Sequence, residues 1–269
     1  MDSLIQIKNL KTHFYTEAGT VKAVQDVSFD ILKGEVLGIV GESGSGKSVT
    51  SLSINRLIPN PPGKIVSGEI IYNGINLLDL TYQEMRNYRG NDIAMIFQEP
   101  MTSLNPVMKI GTQMNEVLIK HKQLNEEQAT IKSIEMLEAV GIPDPTNRMN
   151  EYPHQFSGGQ RQRICIARAV VMEPKLIVAD EAVSALDVSV QRQVLDLFLD
   201  IRQRFGMAML FITHDLRVAA QVCDRVVVMQ HGKVVEQGKT TDVYNNPQHP
   251  YTKELLAAAP GRDVKFNQL

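Results

Sequence analysis

The sequence predicts an α/β fold interrupted by a helical insertion, and three observations carry that expectation. Short apolar runs at Val36-Leu37-Gly38-Ile39-Val40, Leu176-Ile177-Val178-Ala179 and Met209-Leu210-Phe211-Ile212 have the length of buried strands and are bounded by turn or polar residues. The N-terminal third alternates apolar and polar residues, as half-buried strands do. From about Ser103 to Val171 the period changes to that of helices. With 269 residues, 43% of them hydrophobic, the chain can bury a substantial core as one large domain or a domain with a sub-domain.

Taken in order, Leu4 to Ile7 and Val24 to Ile31 alternate, and Lys33-Gly34 supplies the turn before the strand at Val36. Val49, Leu52, Leu57 and Ile58 suggest a packed helix from Ser48 to Ile58, ended by Pro59-Asn60-Pro61-Pro62-Gly63. Gly68 to Tyr72 is a strand leading into an Asn73-Gly74 turn, and Ile93 to Phe97 is another buried strand. Ile131, Ile134, Leu137 and Val140 recur every three residues until Gly141 and Pro143 stop the pattern. Ile164, Ala167 and Val171 share a face of the segment from Arg161 to Val171. After the strand at Leu176, a long helix is marked by Val190, Val194, Leu197, Phe198 and Ile201. The strand at Met209 follows, then Val226 to Met229, a His231-Gly232 turn, and Val234-Val235. The expected organisation is one domain: residues 1–102 and 172–236 form the α/β core, 103–171 the helical subdomain and 237–269 a C-terminal tail.

Composition narrows the function classes. No run of 18 apolar residues occurs, so no membrane-spanning helix is expected. Met1-Asp2-Ser3-Leu4 lacks the charged and apolar regions of a secretory leader. Cys165 and Cys223 stand singly in apolar segments, as buried thiols of a reducing compartment do. A net charge of −2 gives no electrostatic footprint for nucleic acid.

The chemistry begins at Gly41-Glu42-Ser43-Gly44-Ser45-Gly46-Lys47-Ser48, with Val49 next, which fits G-x-x-x-x-G-K-[ST] at every fixed position. Glycines let the loop's N–H groups approach phosphate oxygens, and the helix beginning near Lys47 adds its positive end. Lys47 is placed to reach the β- and γ-phosphates and Ser48 to ligate Mg²⁺, making this a P-loop NTPase core for ATP or a similar nucleotide. Asp180-Glu181 closes the strand at Leu176, at the sheet edge where ligands bind. Asp180 is suited to hold Mg²⁺ and Glu181 to polarise an attacking water. Ser157-Gly158-Gly159-Gln160 opens a helix, with Ser157 as a candidate N-cap, and so forms a second anion-binding terminus.

In this order the motifs resemble the ATP-binding-cassette (ABC) ATPases across nearly the whole chain. Ser157 to Gln160 resembles that family's signature, which implies contact with the nucleotide of a second subunit. Gln98 resembles the glutamine that touches Mg²⁺ and the attacking water, and Ser184-Ala185-Leu186-Asp187 the loop that crosses the dimer interface. His214, 33 residues after Glu181, resembles the switch histidine on the γ-phosphate. Phe14 resembles the aromatic that stacks on adenine, with Tyr15 as its rival. The resemblance implies a mixed sheet, an N-terminal antiparallel β subdomain and an inserted α-helical subdomain.

A finer resemblance is to ATPase subunits of oligopeptide, dipeptide and nickel importers. It rests on Asn246-Pro247-Gln248-His249-Pro250-Tyr251-Thr252, on Phe97 to Pro106 and on Glu151-Tyr152-Pro153-His154-Gln155. Phe156 replaces the usual Leu, Ala182-Val183 replaces Pro-Thr, and no Cys follows Cys223, so no iron–sulfur cluster is implied. The resemblance implies a peripheral subunit on the cytoplasmic side of the inner membrane. Its partners would be a second ATPase subunit in a homo- or heterodimer, two transmembrane permease subunits and, indirectly, an extracytoplasmic substrate-binding protein. No nucleic acid is expected. A soluble ATPase of DNA repair or translation is the rival, but coiled-coil insertions and zinc-type cysteine pairs are missing from the sequence. Peptide against metal or metal-chelate cargo stays open. Met101 and Leu104, just beyond Gln98, are expected to present apolar surface to a permease helix, the alternative being that they pack inside the helical insertion.

Overall fold

The computed structural model describes residues 2–97, 103–184 and 186–258. It divides into two compact units, Met1–Met85 with Ala208–Leu269, and Arg86–Met207.

The first unit opens with a long hairpin of β1 (Ser3–Thr16) and β2 (Gly19–Leu32). Its register matches apolar to apolar: Ile5 pairs with Ile31, Ile7 with Phe29 and Leu10 with Val27. The strands shift register between Ile7 and Leu10, where Asn9 and Asp26 take positive φ and the Asn9 amide donates to Asp26 Oδ1 at 3.0 Å. In chain order, β3 spans Val36–Val40 and β4 spans Gly63–Tyr72. β4 joins the free edge of β1, and Asn73-Gly74, both at positive φ, turns it into the short β5 (Ile75–Asn76). This gives the expected antiparallel subdomain, in the order β2-β1-β4-β5.

The unit's second sheet is mixed. β3 runs parallel to β8 (Ala208–Thr213) on one side and β9 (Arg225–Gln230) on the other, while β10 (Lys233–Lys239) returns antiparallel to β9. All five residues of β3 are buried, as a strand between parallel neighbours requires. Helices α1 (Lys47–Ile54), α2 (Tyr82–Met85), α8 (Leu216–Val222), α9 (Thr240–Asn245) and α10 (Pro250–Ala258) complete the unit.

α1 departs from expectation. It ends at Ile54, four residues early, because Arg56 adopts φ +51° and sends its guanidinium to the Leu77 and Leu80 carbonyls. Its buried face is Thr50, Ser51, Ser53 and Ile54 rather than Val49 and Leu52. The hydroxyls satisfy themselves on carbonyls one turn back, Thr50 on Gly46 at 2.9 Å and Ser53 on Val49 at 2.7 Å. Such small residues let α1 lie close to β1, where Ser53 and Thr12 share a buried hydrogen bond of 2.8 Å.

The second unit pairs β6 (Ile93–Ile96) in parallel with β7 (Leu176–Asp180). Helices described in it include α3 (Ile110–Lys122), α4 (Glu126–Ala139), α5 (Pro145–Arg148), α6 (Gly158–Val170) and α7 (Val188–Phe205). α4 begins in a capping box of Asn125 and Gln128, and it buries Ala129, Ser133, Met136 and Leu137. Ile131, expected in the core, is 52% exposed. A spacing of three falls about 60° short of a full turn at each step, so the series drifts off the buried stripe. Leu104, expected to present apolar surface to a partner, is instead 3% exposed and belongs to the core. α7 buries Val194, Leu197, Phe198 and Ile201 as expected. Both cysteines are free and buried, and burial pushes the Cys165 thiol up to about 12. Among the described residues, no helix is long and apolar enough to cross a membrane.

Candidate functional site

The first unit carries the phosphate loop. β3 delivers the chain to Gly41, whose φ of +152° and surroundings exclude a side chain: a Cβ there would lie 2.3 Å from the Met229 carbonyl oxygen. Gly46, at φ +102°, is equally confined, with a Cβ falling 2.5 Å from the Ala23 oxygen. The loop therefore packs by backbone alone against β2 and β9. It is fastened by the Gly232 N–H donating to Ser45 O at 2.9 Å and by its own Glu42 N–H donating to the Tyr251 phenol at 3.0 Å.

Lys47 is buried at the start of α1, and its ammonium donates to the Gly41 and Glu42 carbonyls at 2.8 Å each. Ser45 Oγ is buried with no hydrogen-bond partner among the described residues. An orphaned hydroxyl costs stability unless something satisfies it, and a phosphate oxygen is suited to do so. The loop thus fits a polyphosphate. Glu42, Ser43, Gly44 and Ser48 are exposed, and Val49 is half-buried. Ser48 offers a hard oxygen donor of the kind Mg²⁺ takes.

β8 runs parallel to β3 with Thr213 opposite Val40, so exposed His214 emerges at the strand end from which the phosphate loop springs. The β1 alternation separates the two aromatic candidates. His13 and Tyr15 share one face, with ring centroids 6.5 Å apart, and Tyr15 is half exposed. Thr12 contacts α1, and Phe14, two residues on, points its ring toward Gly63, where an added Cβ would lie 2.8 Å from it.

The second unit carries the remaining residues. Buried Asp180 ends β7, and Glu181 follows at φ +49°, a left-handed conformation that disfavours a residue with a Cβ. Ser184 secures the turn by donating both its N–H and its hydroxyl to Glu181 O, at 3.1 and 2.9 Å. Ala182 and Val183 are buried, and Gln162 of α6, itself 1% exposed, donates to the Ala182 carbonyl at 2.7 Å. The Ala-Val substitution therefore leaves a loop stiffened by packing and hydrogen bonds.

Ser157 caps α6 in a full capping box: its Oγ accepts the Gln160 N–H at 3.2 Å, and Gln160 Oε1 accepts the Ser157 N–H at 3.0 Å. Ser157 and Gly158 are exposed, and no atom lies within 4 Å of a Cβ added at Gly158, so this helix start is open; Gly159 is half-buried. Asp187 caps α7, accepting from the Val190 N–H and from the hydroxyl and N–H of Ser189, bonds that hold its carboxyl below the usual range. Gln98, Met101 and Ala185 lie outside the described residues. The sequence pattern gave no signal for Gln162 and singled out Tyr251 only within the stretch from Asn246 to Thr252; the importance of both lies in what they touch.

The comparisons with known proteins agree with these features. A family model described as "ABC transporter" matches residues 24–184, and one described as "Oligopeptide/dipeptide transporter, C-terminal region" matches residues 235–268. The chain is 51% identical over 257 residues to the oligopeptide transport ATP-binding protein OppD of Bacillus subtilis (strain 168), covering 96% of this chain and 72% of that protein. It is 49% identical over 269 residues to the dipeptide transport ATP-binding protein DppD of the same organism, covering 100% of this chain and 80% of that one. Among solved structures it is similar to the dimeric post-hydrolysis state of the ATP-binding cassette MJ0796 bound to ADP and Pi. That match has 28% identity and a TM-score of 0.77, and covers 88% of this chain and 98% of the other.

Proposed function

This chain belongs to the ABC transporter ATPases, and from that premise we propose that it is the ATP-hydrolysing subunit of an importer that takes up peptides through separate permease subunits. The observation that carries the ATPase reading is the phosphate loop, where buried Lys47 and the unpartnered Ser45 hydroxyl stand ready for phosphate. The match of the tail to a peptide-transporter region, and the names of the relatives, support peptides over nickel or metal chelates.

In this reading Lys47 and the loop N–H groups bind the β- and γ-phosphates, Phe14 stacks on adenine and His214 contacts the γ-phosphate. Ser48, Asp180 and Gln98 would hold Mg²⁺, which neutralises charge developing on the phosphates. Glu181 accepts the proton of the attacking water. Two subunits work head to tail, as a homo- or heterodimer, with Ser157 to Gln160 of each covering the nucleotide of the other. The MJ0796 structure, being dimeric, supports a pair of subunits. ATP favours the closed pair and hydrolysis releases it, a ligand-biased two-state element.

The subunit would sit on the cytoplasmic face of the inner membrane, bound to two permeases that receive substrate from an extracytoplasmic binding protein. A groove of about 540 Å³ in the second unit supports a permease contact. It is lined by Met95, Phe97, Val117, Ala169 and Met172, with Arg168 among them, and Phe97 is exposed. A short apolar helix suits such a groove better than Leu104, which is buried.

The dimer is tested by mixing a Lys47→Ala chain with a Ser157→Arg chain. One intact composite site per heterodimer should restore ADP-vanadate trapping that neither variant shows alone. Absence of trapping in a demonstrated heterodimer would mean that the signature does not serve the partner's nucleotide.

A further inference from the structure

The C-terminal segment reaches back 209 positions in sequence to the phosphate loop, through one hydrogen bond from the Glu42 N–H to the phenol oxygen of Tyr251. That N–H belongs to the same peptide unit as the Gly41 carbonyl, which accepts from the Lys47 ammonium at 2.8 Å. A single peptide plane is thus held on both edges, by the lysine on its carbonyl side and by the tyrosine on its amide side. Gly41 precedes this plane at a φ that only glycine tolerates, so the local backbone has the freedom to rotate once one edge is released.

Tyr251 is itself fixed. It is 5% exposed in the first turn of α10, and its N–H donates to His249 Nδ1 at 3.2 Å. The Glu236 carboxylate on β10 accepts the N–H groups of Gln248 and His249 at 2.8 and 3.0 Å, anchoring the start of the helix to the sheet. The resulting connection runs from β10 through the Gln248-His249 turn and Tyr251 to the peptide that orients Lys47.

We infer that Tyr251 is a positioning residue for ATP binding, by which the C-terminal segment sets the Gly41–Glu42 peptide and, through its carbonyl, the direction of the Lys47 ammonium. The inference rests on the reading of the chain as an ATPase. It gives the tail matched by the peptide-transporter region a task at the nucleotide rather than at the cargo.

Tyr251→Phe removes the oxygen while keeping the buried ring. Losing one neutral hydrogen bond should weaken Mg-ATP binding about three- to ten-fold, raising KM accordingly. The Tm should stay close to wild type and any fall in kcat should be smaller than the rise in KM, a split that a merely structural ring would not produce. Glu236→Ala should weaken ATP binding in the same direction. Because both act through one connection, the double variant should be little worse than the weaker-binding single variant. Wild-type affinity in a folded Tyr251→Phe protein would overturn the inference, as would independent multiplication of the two effects. Should Tyr251→Phe fail to fold, Glu236→Ala decides, and unchanged ATP affinity there overturns it. Wild-type protein and Lys47→Ala run alongside: if the wild type itself does not bind ATP, the ATPase reading falls instead.

Discussion

The conformation of Glu181 depends on a residue that touches no nucleotide, and replacing Gln162 by Leu tests this dependence. Leu approximates the volume of Gln but cannot donate, so the Ala182 carbonyl, in a residue only 2% exposed, loses its partner at 2.7 Å. Leaving a buried acceptor unsatisfied costs about 1–3 kcal/mol. Glu181 already sits at φ +49°, a conformation about 1–2 kcal/mol above the right-handed one for a residue with a Cβ. The loop then has an incentive to relax, and the Glu181 carboxylate, proposed as the base, moves with it. If the lost energy appears wholly as depopulation of the competent loop, kcat falls about 5- to 150-fold. The KM for ATP should hold, because neither Gln162 nor Ala182 is among the residues proposed to bind the nucleotide. Phosphate release at saturating Mg-ATP gives kcat, its dependence on ATP gives KM, and a thermal melt reports folding. A kcat within about twofold of wild type together with a lowered Tm would refute the reasoning, since the bond would then serve the core and not the carboxylate.

Lys47→Ala removes the donor to two loop carbonyls and the charge proposed to face the transferring phosphoryl group, and hydrolysis should fall at least about 100-fold in a phosphate-release assay. Burial pushes the Glu236 carboxyl up, but the N–H bonds from Gln248 and His249 prevail and hold it below its ordinary value of 4.5. Its contribution is therefore complete above 4.5 and is lost as pH falls through the lowered value. The Tm advantage of wild type over Glu236→Gln should be flat at neutral pH and shrink only below 4.5. Phe97→Cys should cross-link to a permease cytoplasmic loop in membranes, with a yield that differs between ATP and ADP.

Contiguous features were legible in the sequence. The phosphate loop needs its glycines and lysine at fixed spacing, and Ser157 reads as an N-cap, to which the structure adds Gln160 as the other half of a capping box. Buried strands such as β3 and β7 declare themselves as unbroken apolar runs. The illegible parts depend on contacts between distant positions. Gln162 serves Ala182 twenty residues away, and Tyr251 serves Glu42 across most of the chain. Apolar spacing misled at Ile131, which faces solvent because three is not the helical period, and Leu104 is buried although apolar surface for a partner was expected there. α1 ended early through Arg56, whose guanidinium found carbonyls some twenty residues ahead.

The most direct test of an ATP-hydrolysing subunit is phosphate release by Glu181→Gln against wild type at saturating Mg-ATP. The substitution keeps the size of the side chain and its place in the Ser184-secured turn, and removes only its capacity as a base. Turnover should fall at least about 100-fold while ATP stays bound and the protein accumulates as an ATP-bound dimer. Near-normal turnover in the variant, or no release of phosphate by the wild type, would contradict the account.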